Sequence, residues 1–279
     1  MKYLTGLPKM TKLTMGTGGV TDPTNAEQLR VARTAMEAGI WFHVANYGNG
    51  VYDLLKKAFS EDPAHIPHCI FKVDGLGPDL FKASVEEAIA RTGVPRVDIG
   101  QVCGNPTDES FRPLSDAMRE MKEKGKVGAY IMDVIRPNSK RVAKAIESDL
   151  FDGYVLYYNV MECGVSSEVY RLMEARKTPI LAMRTFGGRD GGNFMQSKDA
   201  ANPRRAALEP LYKRSGCANR TEFCVRFPLS IPQVRTTIGS SSSAEHIRAF
   251  LDAGRAPRPL APDVTEGIKA LHRQWEPEV

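Results

Sequence analysis

The chain has 279 residues, 42% of them hydrophobic and 25% charged, a balance that gives a globular protein ample material for a core. No apolar run is long enough to span a bilayer and the first ten residues lack a signal-like apolar stretch, so a cytoplasmic protein is expected, neither inserted in a membrane nor exported. The charge of +5 is spread along the chain, against a nucleic-acid partner, and the five cysteines, odd in number and without a CxxC pair, read as reduced thiols rather than metal ligands.

Taken in chain order, short apolar runs alternate with longer amphipathic ones. Strands are predicted at residues 13–16, 40–45, 69–73, 97–102, 127–132, 153–157, 179–183 and 234–238, each apolar nearly throughout, as parallel strands buried on both faces should be. Helices are predicted at 26–38, 51–59, 80–91, 108–124, 139–147, 166–176, 221–230 and 243–252. Ser166, Thr221 and Ser243 stand at starts, and Gly39 stands where the first helix should stop. The alternation predicts an α/β fold, a single (β/α)8 TIM barrel over 1–279, with a doubly wound open sheet as the other topology compatible with it. Residues 257–279 form a C-terminal extension, prolines followed by a helix carrying Ile268, Leu271 and Trp275, which either covers the barrel exterior or makes a dimer contact.

A barrel places its chemistry at the carboxyl ends of its strands. There the second, third and fourth strands bring His43, Asn46 and Tyr47, then Lys72 and Asp74, then Cys103 and Asn105. Lys72 interrupts an apolar strand. It either extends its ammonium into solvent or sits beside Tyr47 and lowers the phenol's pKa, which suits carbonyl chemistry. Cys103 reads as a small strand-end side chain, with a nucleophile as the alternative.

The segment EAGIWFHVANYG at 37–48 resembles the signature of the aldo-keto reductase family, in which a helix ending in Ala-Gly leads through a strand to a catalytic tyrosine before glycine. Residues 70–73 resemble the strand bearing that family's lysine, and 97–106 the strand ending at its active-site histidine. Further matches at 16–19, 125–127, 158–160, 181–188 and 238–247 keep the same order. The resemblance implies a barrel that binds NADP(H) and reduces an aldehyde or ketone of a small molecule, with Tyr47 as general acid and Lys72 tuning it. His43 then stands where relatives have the aspartate that holds the lysine, with Asp74 or Asp98 as substitute anions, and Cys103 stands at the histidine position.

The same resemblance assigns cofactor positions. Met132 and Asp133 replace a Ser-Asn pair that holds the carboxamide, and Tyr157 replaces a glutamine and is placed to stack on nicotinamide. Gly239, Ser240, Ser241 and Ser242 lead into a helix start as a phosphate cradle. His246 takes the place of an arginine against the 2′-phosphate, Ala249 and Phe250 take adenine-side positions, and Arg184 and Arg189 are the basic residues placed to make up the missing charge. The loop from Phe186 to Pro203, without periodicity, reads as a lid or a solvated surface loop. Two functions follow: an NADP(H)-dependent carbonyl reductase, monomeric or weakly self-associating, or a non-redox barrel. The latter is a cofactor-independent lyase or isomerase using Tyr47, Lys72 and His43, or a silent binding protein.

Overall fold

A computed structural model describes residues 8–45, 50–103, 108–134, 139–187, 192–195, 201–255 and 257–276. Eight strands run parallel and close on themselves. They are β1 (Leu13–Gly16), β2 (Trp41–Val44), β3 (Cys69–Asp74), β4 (Val97–Cys103), β5 (Val127–Asp133), β6 (Gly153–Asn159), β8 (Ile180–Met183) and β9 (Val234–Gly239). Each pairs with the next, β6 pairs directly with β8, and β9 returns to β1. The short β7 (Glu162–Cys163) only folds back antiparallel on the end of β6. Closure excludes the open sheet and gives the predicted TIM barrel.

Alternation along these strands separates two apolar regions. One, between strands and helices, takes residues such as Phe42, Phe71, Val102 and Leu156. The other fills the barrel, where Trp41, Ile70, Ile99, Ala129 and Leu181 pack together with Met10 against them. Two residues further along β2, β3 and β4 lie His43, Lys72 and Gln101, and on β5 Asp133 lies four residues beyond Ala129. The interior is therefore apolar toward the strand amino ends and polar toward the carboxyl ends.

The outer helices follow their sequence signals. In α1 (Ala26–Glu37), Asn25 accepts from the amides of Glu27 and Gln28, and Leu29, Ala32 and Met36 recur on the buried face. Gly39, at φ +64°, turns the chain into β2. The barrel wall is completed by α2 (Val51–Glu61), α3 (Pro78–Thr92), α4 (Asp108–Glu123), α5 (Ser139–Glu147) and α6 (Ser167–Ala175), the last capped by Ser166 through the Val169 amide.

Sequence patterning missed α7 (Pro203–Arg214). That helix buries only Leu208 and Leu211 and carries basic residues and Pro210 on its other positions, so it has almost no apolar stripe. Tertiary contacts hold it: the Arg204 guanidinium donates to the carbonyls of Met161 and Trp275. In α8 (Arg220–Leu229) the cap is Asn219 rather than Thr221, accepting from the Glu222 amide. α9 (Ala244–Gly254) begins after Ser243, whose hydroxyl makes no cap bond. α10 (Pro262–Gln274) packs on α7 and buries Val264, Ile268 and His272, while Leu271 and Trp275 are half-buried against the core.

Of the described residues of the segment after β8, 184–187 and 192–195, most are packed rather than solvated. Gly187 bridges to Asn193, and Phe194 is fully buried, its ring among Tyr212 and Phe223 and under the guanidiniums of Arg205 and Arg220. All five cysteines are free thiols. Among the described residues no helix is long and apolar enough to cross a membrane.

Candidate active site

Parallel register brings the strand-end residues together. Lys72 lies opposite Gln101 and Asp74 opposite Cys103, while Gln101 lies opposite Ile131, two residues before Asp133. The four strands β2 to β5 thus supply His43, Lys72, Gln101, Cys103 and Asp133 to one end of the barrel. All but Cys103 and Lys72 are buried outright, and the Lys72 side chain is only 10% exposed.

Asp133 is the hub. Its Oδ2 accepts from the Gln101 amide at 2.8 Å and the Cys103 thiol at 3.3 Å, and lies 3.6 Å from the Lys72 ammonium. A carboxylate only accepts, so the Gln101 NH2 group must face it and the Gln101 carbonyl oxygen must face His43, 2.5 Å from Nε2. The proton of His43 is thereby fixed on Nε2. Burial, and then the Lys72 charge, pull the His43 pKa down to about 4, so the ring is a neutral donor at ordinary pH.

These bonds revise several expectations. Asp74 and Asp98 are not the lysine's counter-ion. Asp74 accepts from the Leu76 amide beyond the strand. Asp98 lies at the opposite end of β4, bound by the Cys69 amide, His68 and Arg96. The lysine's partner is Asp133, at a position the sequence reading had assigned only to a missing cofactor contact. His43, at the aspartate position, is no anion, as expected of a histidine; its uncharged ring orients Gln101, which nothing in the sequence marked. Lys72 does not extend into solvent. The Cys103 thiol pKa is raised, by burial first and by Asp133 next, and the thiol donates to Asp133 Oδ2, which favours the small strand-end side chain expected over a thiolate.

Tyr47, Asn46, Asn105 and Arg189 lie outside the described residues. Tyr157 is buried at the carboxyl end of β6, and the Arg184 guanidinium lies over its ring at 4.8 Å. Arg184 sits at φ +59°, in the left-handed region that costs a non-glycine residue energy. On the far wall, Gly239 ends β9 and Ser240 to Ser242 follow. A Cβ on Gly19 would come within 2.4 Å of the Ser241 backbone, so glycine is needed for this loop to lie on the turn after β1. Ser241 Oγ accepts from the Ser243 amide at 3.1 Å and lies 3.3 Å from His246 Nδ1. The amide of Ala244, the first of α9, is taken by Glu27 at 2.8 Å. Phe250 is buried against Gly239 and Phe186, so it is a core residue and not an adenine-facing one.

The donor and acceptor set suits a nicotinamide dinucleotide. Among the described residues Asp133 Oδ1 is buried with no hydrogen-bond partner, an acceptor that suits an N–H donor such as a carboxamide. Tyr157 offers a ring and Arg184 a cation beside it, and the serine turn lies across the mouth.

No protein-family model matches the sequence, and no curated protein matches it. Solved structures do. The eight-stranded α/β barrel is the fold seen in aldo-keto reductases. In particular, the chain is similar to the holo form of aldo-keto reductase AKR11C1 from Bacillus halodurans, with 18% identity and a TM-score of 0.73 over 94% of this chain and 95% of that one. The apo form matches at 19% and 0.70, over 96% and 95%. An aldo-keto reductase from Klebsiella pneumoniae in complex with NADPH matches at 15% and 0.71, over 95% and 92%. At these identities the likeness establishes the fold.

Proposed function

We propose that this protein is an NADP(H)-dependent oxidoreductase of the aldo-keto reductase family that reduces an aldehyde or ketone of a small molecule, with Tyr47 as general acid. The observation that carries the reading is the Lys72–Asp133 ion pair at the carboxyl end of the barrel. A lysine and an aspartate this deep, with three donors on one carboxylate oxygen, have a desolvation cost that structure alone does not require. The bound nicotinamide supplies the reducing equivalent. The protein's residues would do the rest: Asp133 holds the Lys72 ammonium in place, and on this reading the ammonium lowers the pKa of the Tyr47 phenol, which gives its proton to the developing alkoxide. His43 and Gln101 lock Asp133 in its rotamer. The residues that would hold the dinucleotide are Asp133 at the carboxamide, Tyr157 and Arg184 at the nicotinamide, and Ser240 to Ser242 with His246 at the phosphates.

Titration with NADPH and NADH, followed by nicotinamide fluorescence or calorimetry, tests this directly. Micromolar binding of NADPH is expected. Absence of binding of either dinucleotide would leave the non-redox barrel, with proton transfer by Lys72 and Tyr47 in the absence of cofactor, as the surviving reading.

A further inference from the structure

The two oxygens of Asp133 are served unequally. Oδ2 takes the Gln101 NH2 group at 2.8 Å and the Cys103 thiol at 3.3 Å, with the Lys72 ammonium at 3.6 Å. Oδ1 is buried and has no hydrogen-bond partner among the described residues, in a side chain only 6% exposed as a residue. A buried acceptor left unsatisfied has a cost, and a charged one costs more than a neutral one.

The neighbours are not placed to fill the gap. Flipping Gln101 would set its carbonyl oxygen against the carboxylate, two acceptors face to face, and would take that oxygen away from His43 Nε2. The single proton of the Cys103 thiol is directed to Oδ2. Arg141, on α5, adds a positive charge to the surroundings of Asp133 without bonding Oδ1. A ligand in the barrel mouth that brings a donor removes the deficit, and a ligand without one perpetuates it.

We infer that Asp133 selects the dinucleotide by the substituent at position 3 of its pyridine ring: Oδ1 accepts one N–H of a primary carboxamide, and a substituent lacking that donor is rejected. This rests on the dinucleotide reading above and deepens it, because the carboxylate that holds Lys72 then also reads the cofactor. Hydroxyl and amide side chains bond either end of a carboxamide, whereas a carboxylate, which only accepts, reads the N–H end alone. A methyl ketone at that position offers no donor. A carboxylate there offers none either and sets a like charge beside Oδ1.

Calorimetric titration of the full chain with NADP+ and with its thionicotinamide, 3-acetylpyridine and nicotinic acid analogues tests the assignment by binding alone. The thionicotinamide analogue keeps the NH2 group and should bind within about 3-fold of NADP+, while the acetyl analogue should bind at least about 10-fold more weakly and the nicotinic acid analogue more weakly still. Asp133→Asn inverts the chemistry. The donors of Lys72, Gln101 and Cys103 keep the amide oxygen where Oδ2 was and turn its NH2 group to where Oδ1 was, so the acetyl analogue should come within about 3-fold of NADP+. Equal affinity for NADP+ and the acetyl analogue in the unaltered protein, or a preference unchanged in Asp133→Asn, would overturn the inference and leave the oxidoreductase reading standing. Absence of binding by every dinucleotide would overturn both. Should Asp133→Asn not fold, the nicotinic acid analogue decides on the unaltered protein, where affinity equal to that of NADP+ overturns the inference.

Discussion

The two walls of the barrel mouth solve opposite problems. On the β2–β5 side, neighbouring strands bury an ion pair and surround one carboxylate oxygen with Lys72, Gln101 and Cys103. On the β8–β9–β1 side the buried polar groups are small neutral hydroxyls in pairs, each at 2.8 Å: Thr14 with Thr236 inside the barrel, level with Trp41 and below the mouth, and Thr185 with Thr237 on the outer face of the strands. Charge is expensive in a barrel interior, so it occurs only where a full set of partners is built around it. The neutral wall, with Gly19 packed on the serine turn, offers surface and backbone instead. On the proposed function, the first wall serves proton transfer and the second serves ligand binding.

The largest expected effects come from breaking the charged wall. Asp133→Ala leaves the Lys72 ammonium buried without its anion and should cost roughly 3–5 kcal/mol in a urea unfolding experiment. The double variant Lys72→Met with Asp133→Leu should recover most of that stability, since the pair is replaced by apolar groups, yet show no carbonyl reduction. Recovery of activity with stability would mean that the pair is only structural. Tyr47→Phe should lower reduction by about 10²- to 10⁴-fold, the usual contribution of a positioned acid, while leaving NADPH affinity nearly unchanged. Parallel loss of affinity would show that Tyr47 holds the cofactor instead.

Acid provides the next perturbation. His43 and His272 both have folded pKa values of about 4, below the unfolded value of 6.5. Between those limits the unfolded chain binds more protons than the folded one, so stability rises with pH across the window and levels off above it. Each ring contributes roughly 3 kcal/mol of penalty once the pH has fallen to its folded value, at about 1.4 kcal/mol per pH unit. Urea midpoints measured from pH 7 to 4 should fall steeply. His43→Gln should flatten the slope by about one proton, and an unchanged slope would mean that His43 is protonated in the folded protein.

The barrel was legible in the sequence because both faces of its strands are buried: runs such as VDIGQV have no other reading at that length, and the observed strands start within one residue of those expected. The network was only half legible. Lys72 stood out as a charge in an apolar strand, but its partner comes from β5, 61 residues later, and only closure in register brings the two together. Asp133 was conspicuous as a departure at a cofactor position, whereas its role depends on Gln101, an ordinary polar residue that nothing local marks. α7 was hidden for a different reason, since Arg204 anchors it through carbonyls on remote segments and not through an apolar stripe.

The smallest effect tests the neutral wall. If Ser240 to Ser242 and His246 receive the phosphate side of the dinucleotide, Glu27 is the nearby group that opposes it, because its carboxylate already occupies the Ala244 amide at the start of α9. Glu27 is 41% exposed and shares its charge with Arg30 at 3.2 Å, so screening by water and by that arginine keeps the repulsion modest. Glu27→Gln should therefore tighten NADPH by only about 2- to 5-fold at low salt, leave NADH within error, and lose the difference at high ionic strength. An equal change for both dinucleotides would place Glu27 away from the 2′-phosphate. A loss of affinity for both would instead mean that the Glu27 bond to Ala244 shapes the serine turn, and that the wall's contribution is geometry rather than charge.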